Sequence, residues 1–306
     1  MDDLVKLWGE PIAQGKYMIA GWHQWADAGG VSSELPQYLI DQTGARKIGE
    51  IRPDGFYLFQ LPGMHHLLRP EVKLHEGYRK ELRPRRNDFF CSANGAKGAL
   101  IFLGDEPHQN EERYAEAFFS AIEDLSVRRV AAVAGVYGAT PYDRDREISC
   151  VYSLREMKDE LAKYAVKFSN YEGGATIGTY LADRAEQRGI EFLVFYAIVP
   201  AYDFSQFSMG FKGMRIEKDF KAWYDLMRRF NHMFDLGIDL SDLERQSEEL
   251  ISSMDSKIDE LESTMPQLKV REYMDKLARE FTEMPFMPLS DVWESELGDL
   301  FKDVEG

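Results

Sequence analysis

Nearly continuous apolar segments alternate with amphipathic helical patterns along the first two thirds of the chain. Four such segments predict strands that are buried on both faces: KYMIAGW (16–22), GALIFLGDEP (98–107), RRVAAVAGVYGA (128–139) and IEFLVFYAIVPAY (190–202). Three amphipathic patterns predict helices between them: VSSELPQYLIDQTG (31–44), EERYAEAFFSAIEDL (111–125) and TIGTYLADRAEQRG (176–189). Strands of this kind need helices on both faces of their sheet. The alternation therefore predicts an α/β fold with three layers, α/β/α, and a largely parallel central sheet.

Less apolar segments add further predicted elements to this body. Strands are predicted at IGEIRPDGFYLF (48–59), VKLHEGYRKEL (72–82), FFCSA (89–93) and VKFSN (166–170). Helices are predicted at SLREMKDELAKY (153–164) and MRIEKDFKAWYDLMRRFNHMF (214–234).

The C-terminal part of the chain has a different character. Residues 235–306 carry 20 acidic and 7 basic side chains, so they hold −13 of the net charge of −16. The predicted helix 243–265 has a narrow apolar seam formed by Ile251, Met254, Ile258, Leu261 and Met265. The following helix, 266–281, has an apolar face formed by Leu268, Tyr273, Leu277 and Phe281. We expect an α/β/α body (1–237), an acidic helical hairpin (238–283) packed on the body or on another subunit, and a tail (284–306).

Composition excludes several classes of function. A net charge of −16 disfavours binding to a nucleic-acid backbone, because like charges repel. No run of roughly 18 apolar residues predicts a membrane span. The first residues lack the basic and apolar segments of a signal peptide. Cys91 and Cys150 fall in predicted strands and are expected to be small buried residues in a reducing compartment. We therefore expect a cytoplasmic protein that binds neither nucleic acid nor membrane.

Three segments together carry a family resemblance. They are MIAGWHQWADAGGVSSELPQYLI (18–40), VAAVAGVYGATPYDRDREISC (130–150) and EGGATIGTYLADRAEQRGIEFLVFYAIVPAY (172–202). In order and spacing they resemble the archaeal and bacterial family related to the second proteasome assembly chaperone. The third segment is the most specific, with its Gly-rich turn, its "RGIE" and a strand ending in "VPAY". The resemblance covers residues 4–234.

The resemblance implies a body related in fold to nucleoside phosphorylases and peptidyl-tRNA hydrolase-like proteins. It also implies self-association, with a trimer as the expected subunit number, and binding to other proteins. For most bacterial members no reaction is established, and we expect no cofactor. Some archaeal relatives engage the proteasome through a C-terminal tail of hydrophobic residue, tyrosine and any residue. Residues 302–306, KDVEG, contain no tyrosine, so we do not expect docking by that route.

The turn after the first predicted body strand is a candidate ligand site. Gly29 and Gly30 would allow a ligand to approach the backbone, and His23 and Asp27 could supply acid–base groups. The motif DAGG is neither a dinucleotide-binding fingerprint nor a phosphate-binding loop. The alternative interpretation is that Trp22 and Trp25 pack, Asp27 caps the helix and the glycines form the turn. We favour this alternative.

A second turn, NYEGGATIG (170–178), repeats the pattern with Glu172, Gly173 and Gly174. Both turns and Tyr137 could line one crevice at the carboxyl ends of the strands. That crevice would hold His23, Asp27, Tyr137 and Glu172, a set that could perform general acid–base chemistry on a small anionic or nucleoside-like ligand. The alternative is again ordinary turn chemistry in a protein without catalysis.

The remaining polar clusters carry weaker indications. The histidines His65, His66, His75, His108 and His232 have none of the spacings of zinc ligands, so no metal site is expected. The basic cluster, Arg79, Lys80, Arg83, Arg85 and Arg86, could bind an anion or could face the acidic helices of the same or a neighbouring chain. The segment DRDRE (143–147) is expected to be a solvated loop whose charges compensate one another.

Two hypotheses follow from the sequence. The first is a homo-oligomeric, protein-binding assembly factor without catalysis. The second is an enzyme acting on a small anionic or nucleoside-like ligand in the crevice at the carboxyl ends of the strands.

Overall fold

The computed structural model describes residues 4–8, 17–60, 69–70, 72–92, 99–204 and 213–286. The described strands are β1 (Val5–Leu7), β2 (Tyr17–His23), β3 (Arg46–Ile51), β4 (Val72–His75), β5 (Tyr78–Leu82), β6 (Asn87–Cys91), β7 (Leu100–Asp105), β8 (Arg129–Gly138), β9 (Ile148–Tyr152), β10 (Glu191–Tyr202) and β11 (Met214–Arg215). The described α-helices are α1 (Glu34–Thr43), α2 (Glu111–Asp124), α3 (Lys158–Leu161), α4 (Ile177–Glu186), α5 (Phe220–Phe234), α6 (Ser241–Thr264) and α7 (Val270–Glu280).

Nine of these strands form one mixed sheet in the order β1-β3-β6-β7-β2-β8-β10-β11, with β9 also paired to β10. The central strands β7, β2, β8 and β10 run parallel. The flanking strands pair antiparallel on both sides. The predicted fold class is confirmed, and the parallel part of the sheet is its four-stranded centre.

Helices cover both faces of the sheet and enclose two hydrophobic clusters. One cluster contains buried residues of α1, α5 and α6 together with alternate residues of the strands. The other contains buried residues of α2 and α4 with the opposite set of strand residues. Neighbouring residues of β2 illustrate the division, because Ile19 belongs to the first cluster and Ala20 to the second. This arrangement is the expected α/β/α layering.

Of two predicted elements between β8 and α4, the helix is present in shortened form and the strand is not. Residues 155–164 are continuously helical, with the short α3 between two 3-10 turns, and Ala165 then adopts a left-handed conformation with φ of 50°. The predicted strand 166–170 is a single bridge between Lys167 and Ser149. The reason is that β9 occupies this edge of β10, so the segment reaches only the far side of β9.

The two C-terminal helices α6 and α7 pack on the body of the same chain. Met254 and Ile258 of the predicted seam are buried, and Leu268 and Val270 are buried at the start of the second helix. All four belong to the cluster that contains α1 and α5. Hydrogen bonds from Tyr38 to Asp242 (2.9 Å) and from Tyr224 to Glu244 (2.8 Å) join α6 to α1 and α5. Residues 287–306, most of the predicted tail, lie outside the described residues.

The segment 143–147 is not the solvated loop that its charges predict. The Arg146 side chain is fully buried and pairs with the equally buried Asp219 at 2.8 Å. Arg146 also donates to the carbonyl oxygens of Tyr142 and Arg144, both at 2.9 Å. Asp219 in turn caps α5 by accepting a hydrogen bond from Ala222 N at 3.0 Å. The sequence prediction failed because the partner carboxylate comes from a helix that lies 73 residues further along the chain.

None of the described helices is both long and apolar enough to cross a membrane.

Candidate functional site

The four parallel strands end at the same side of the sheet, which we call the carboxyl edge. It consists of the C-terminal ends of β2, β7, β8 and β10 with the turn 24–33, the segment 170–176 and the start of α4. Open parallel sheets bind their ligands at such an edge. All the candidate residues predicted from the sequence belong to segments at or beside it.

Asp27 stabilises the turn between β2 and α1. Its Oδ1 accepts hydrogen bonds from Ser32 N (2.7 Å) and Ser33 N (3.0 Å), and its Oδ2 accepts one from the Ser33 hydroxyl (2.6 Å). Burial raises the pKa of Asp27 to about 6, and the three hydrogen bonds oppose that shift. The carboxylate therefore stabilises the turn that leads into α1. The N-cap of α1 itself is Ser33, whose side chain makes no capping hydrogen bond.

Gly29 and Gly30 are required by packing and by backbone conformation. Both have positive φ, 65° and 62°, which favours glycine. A Cβ at Gly29 would lie 2.8 Å from Asp219 Cβ and 3.0 Å from a methyl of Val199. The Gly29 carbonyl accepts hydrogen bonds from Asp219 N (2.9 Å) and Trp223 Nε1 (3.0 Å). The glycine pair therefore joins the turn to α5 and β10.

His23 lies away from Asp27, against the basic cluster. Its Nε2 contacts the Arg83 guanidinium. Burial lowers the pKa of His23 to about 4, and the positive charge of Arg83 adds to this shift. The imidazole is therefore neutral near pH 7.

Two further arginines of the basic cluster, Arg85 and Arg86, turn inward to the carboxyl edge. Arg85 pairs with Asp105 at 2.8 Å, and Arg86 N donates to the same carboxylate at 2.9 Å. The Arg86 side chain donates to Gln37 at 3.0 Å. In the described chain these three groups meet β7 and α1 rather than the acidic helices.

Tyr137 is the predicted pocket residue that does approach Asp27. Asp27 forms a bridge with Gly135, two residues before Tyr137 on β8, and the Tyr137 hydroxyl donates to the Ile216 carbonyl oxygen at 3.4 Å. Partial burial raises the pKa of Tyr137, and the charges of Glu217 and Asp27 add to the shift. Its ring remains 42% exposed, and the Arg215 guanidinium lies 5.8 Å from the ring centre.

Glu172, Gly173 and Gly174 lie in an exposed segment before α4. Within the described part of the chain, Glu172 makes no hydrogen bond or ion pair. The structure thus brings Asp27, Gly29 and Tyr137 together and places His23 and Glu172 elsewhere. This is not the four-residue convergence that the enzyme hypothesis requires.

The N-terminus of α4, a potential anion site, is occupied by a side chain of the protein. Glu106, directly after β7, accepts hydrogen bonds from Ile177 N at 3.0 Å and from Trp25 N. Burial raises the pKa of Glu106. Thr176 caps the same helix by accepting from Thr179 N at 3.1 Å. The sequence analysis missed Glu106, although its position after an apolar strand was a usable signal.

A groove lies beside this edge. Its volume is about 480 Å³, and it is lined by residues of β3, the end of β5, the segment 83–86 and the start of β6. Lysine, arginine, aspartate and glutamate side chains alternate along it, and two of the acidic ones, Glu50 and Asp88, pair with Lys47. Its lining does not include His23, Asp27, Tyr137 or Glu172.

His108, His232 and both cysteines are placed in packing positions. His108 accepts from Leu58 N at 3.1 Å, and His232 stacks edge-on against Tyr164 and Phe286. His75 is exposed on β4, and His65 and His66 lie outside the described residues. Cys91 and Cys150 are buried and unbonded to each other, as expected. Over the described ranges, no cluster of three or more His, Cys, Asp or Glu is placed to hold a metal ion.

The carboxyl edge also exposes large aromatic side chains. Trp25 is 61% exposed and Tyr171 is 67% exposed. The expectation that both tryptophans pack was correct for Trp22, which is fully buried and donates to the Tyr114 hydroxyl at 2.8 Å, and wrong for Trp25. The sequence could not separate them, because the strand alternation that buries Trp22 ends before Trp25.

Solved structures of similar fold come from bacteria and archaea. The chain resembles a PAC2 family protein of Streptomyces avermitilis, with 21% identity, a TM-score of 0.65 and coverage of 84% of this chain and 98% of that one. It resembles a proteasome-assembly chaperone homologue of Mycobacterium tuberculosis, with 20% identity, a TM-score of 0.65 and coverage of 78% and 94%. It also resembles PbaB, an archaeal proteasome activator of Pyrococcus furiosus, with 15% identity, a TM-score of 0.56 and coverage of 82% and 97%.

At these identities the likeness establishes the fold. A comparison with curated proteins finds no significant match. The family model of PAC2 matches residues 22–258, well over half of the chain, and includes both turns of the carboxyl edge. On this match, the chain belongs to the PAC2 family, whose relatives resemble proteasome assembly chaperones.

Proposed function

We propose that the chain is a homo-oligomeric, protein-binding assembly factor that acts in the cytoplasm without catalysis. Its protein-binding surface is the carboxyl edge. Three subunits is the expected number, and the assembled oligomer presents surfaces to a partner protein.

The observation that carries this proposal is that two carboxylates of the carboxyl edge are hydrogen-bonded within the fold, while large aromatic side chains of the same edge are exposed. Two carboxylates there are engaged by the fold: Asp27 by Ser32 and Ser33, and Glu106 by the α4 N-terminus. The large aromatic groups there are exposed instead, with Trp25 at 61% and Tyr171 at 67%. Exposed aromatic side chains beside satisfied polar groups are typical of a protein interface.

The experiment compares the wild-type chain with the variant Trp25→Ser/Tyr137→Ser/Tyr171→Ser by sedimentation velocity. We expect the wild type to be an oligomer. We expect the dissociation constant of the variant to be at least tenfold higher, because interface aromatics dominate association energies. Far-UV circular dichroism verifies that the variant remains folded.

The matched control is Trp8→Ser, which removes an aromatic side chain that is 47% exposed on β1's flank, outside the carboxyl edge. We expect it to leave the subunit number unchanged. A wild-type monomer at all concentrations, or an edge variant that associates as tightly as the wild type, contradicts the proposal.

The second candidate function is the enzyme acting on a small anionic or nucleoside-like ligand. One observation favours it: the pKa of Asp27, about 6, lies close to the range of a general acid or base, and the Tyr137 hydroxyl is nearby. Thermal-shift titration with nucleosides, nucleotides and inorganic phosphate tests it. A ligand whose stabilisation disappears in Asp27→Asn supports the enzyme and opposes the assembly factor.

The relatives suggest the class of the partner protein. PbaB is described as a proteasome activator, and the Mycobacterium tuberculosis relative as a proteasome-assembly chaperone homologue. We propose by analogy that the partner is a subunit of a larger protein assembly. Residues 302–306, where the archaeal tail motif was sought, lie outside the described residues.

A further inference from the structure

The β-hairpin Val72–Leu82, formed by β4 and β5, is a separate two-stranded sheet that we call the arm. Every residue of its two strands is exposed. Four of these are large apolar residues, exposed by 45–76%: Val72, Leu74, Tyr78 and Leu82. An isolated two-stranded hairpin is marginally stable in water, and both of its edges have unpaired backbone groups. The arm therefore needs a covering surface that its own chain does not supply within the described residues.

One face of the arm is aliphatic. Val72 lies opposite Leu82, and Leu74 lies opposite Arg79. Cross-strand partners share a face, and so do residues two positions apart on one strand. Val72, Leu74 and Leu82 therefore lie together on one side of the arm, with the Arg79 side chain beside them.

The arm also carries unpaired positive charge. Lys73 pairs with Glu81 at 3.1 Å. Arg79 and Lys80 have no ion pair with any described residue of the chain. Because the whole chain has a net charge of −16, a second copy is an acidic partner for these two cations.

The carboxyl edge has the complementary chemistry. Trp25 and Tyr171 expose their rings there, and the carboxylate of Glu172 is unpaired among the described groups. Aromatic rings pack well against aliphatic side chains, and they also attract guanidinium and ammonium groups. This surface can satisfy both the aliphatic face and the cations of the arm.

We propose that the arm of one copy docks on the carboxyl edge of a second copy. This inference rests on the proposed function, because it names the partner of the same protein-binding surface. At its own base the arm is fixed by Arg83, which contacts His23, while the strands beyond it remain exposed. A contact between two different surfaces of identical subunits repeats head to tail and closes into a ring, as the expected trimer requires.

The acidic helix α6 is the competing docking surface for the arm. Glu248 and Glu260 lie on its outward side and match the charge of Arg79 and Lys80. However, the exposed positions of α6 hold no large apolar side chain. Docking there would leave Val72, Leu74 and Leu82 in a polar environment, so the carboxyl edge is the better partner.

Disulfide trapping tests the contact directly. Leu74→Cys and Tyr171→Cys are placed in two full-length chains with tags of different length, and the chains are co-expressed and oxidised mildly. The native Cys91 and Cys150 are buried and contribute little background. We expect a mixed dimer of about twice 35.3 kDa that forms at least tenfold faster than either homodimer. Leu74→Cys paired with Glu248→Cys, on α6, is the matched control.

Charge reversal provides an independent test in solution. We expect Arg79→Glu/Lys80→Glu to weaken self-association at least tenfold in sedimentation velocity. We expect the triple variant that also carries Glu172→Lys to recover most of the lost affinity. Glu248→Lys/Glu260→Lys on α6 should have no effect on association. Circular dichroism of each variant verifies the fold.

The outcomes separate this inference from the proposed function. If the wild type is an oligomer, but the mixed disulfide does not form and reversal of the arm charges does not weaken association, the inference is overturned and the proposed function stands. Efficient trapping between residues 74 and 248 overturns it in favour of the acidic helix. A wild-type monomer overturns both.

Discussion

Asp27 shows how a residue with the features of a catalytic group serves the fold. The carboxylate accepts three hydrogen bonds from Ser32 and Ser33, and its burial raises its pKa to about 6. A role of Asp27 in the turn was predictable from the sequence, since Asp side chains accept hydrogen bonds from nearby backbone N–H groups. The structure places these bonds in the turn before α1, whose N-cap is Ser33. The separation of Asp27 from His23 and Glu172 was not predictable, because it depends on the paths of three turns that are far apart in the chain.

Replacing Asp27 by asparagine should remove a pH dependence of stability. With a folded-state pKa of about 6 and an ordinary value of 3.8, the folded state retains a proton that the unfolded state releases between those values. The contribution of Asp27 to stability is therefore largest below about pH 4 and falls as the pH rises through about 6.

We expect the free energy of unfolding of Asp27→Asn, relative to wild type, to increase by up to about 3 kcal/mol between pH 4 and pH 7.5. Urea denaturation at several pH values measures it. Asp41→Asn, an exposed carboxylate of α1, is the control and should give a flat difference. A flat difference for Asp27→Asn as well contradicts the described environment of this carboxylate.

The buried pair of Arg146 and Asp219 supports a second prediction. Both side chains are completely shielded from solvent, so removal of one charge leaves the other unpaired in the interior. We expect Asp219→Asn, which retains a capping side chain for α5, to lower the free energy of unfolding by about 3–5 kcal/mol. Asp143 is exposed and lies in the same loop as Arg146, and Asp143→Asn should change the free energy of unfolding by less than about 1 kcal/mol. Chemical denaturation of both variants measures these changes. Equally small changes in both would show that the buried pair does not stabilise the fold.

Periodicity was most informative at the scale of the elements. The apolar segments that became β2, β7, β8 and β10 were identified from sequence because burial on both faces leaves a continuous hydrophobic signal. The strand predicted at 166–170 was wrong and the bounds of β9 were not predicted, because β9 is a short antiparallel strand on the flank of the sheet, where local propensity is a weak guide. The long-range pairing of β9 with β10 fixes its structure.

Helix α6 provides a prediction at this scale. Ile258 of the seam is 1% exposed and packs in the cluster shared with α1 and α5. We expect Ile258→Ala to lower the free energy of unfolding by about 2–5 kcal/mol, because it leaves a cavity between α6 and the body. The adjacent Lys257→Ala, on the exposed side, should change it by no more than about 0.5 kcal/mol. Thermal and urea unfolding measure both variants. Equally small effects of Ile258→Ala and Lys257→Ala would show that α6 does not contribute to the core.

At the scale of the whole molecule, charge and apolar surface are distributed unevenly. The acidic helices lie on the body of their own chain, with Asp242 and Glu244 bonded to tyrosines of α1 and α5. Seven of the ten exposed large apolar and aromatic side chains among the described residues lie on the arm and at the carboxyl edge; the other three are Trp8, Phe59 and Met284. The family resemblance of the sequence predicted an oligomer. The sequence did not indicate which surfaces would be exposed, because the exposure of Leu74 or Trp25 depends on the folded arrangement of distant segments.

Native mass spectrometry of the full-length protein, purified gently from its own host, tests the central claim most directly. The account predicts a homo-oligomer of three subunits, free of small molecules, alone or with a second protein attached. A monomer, or any assembly with a stoichiometric small-molecule adduct that Asp27→Asn abolishes, would contradict a carboxyl edge that binds protein without catalysis.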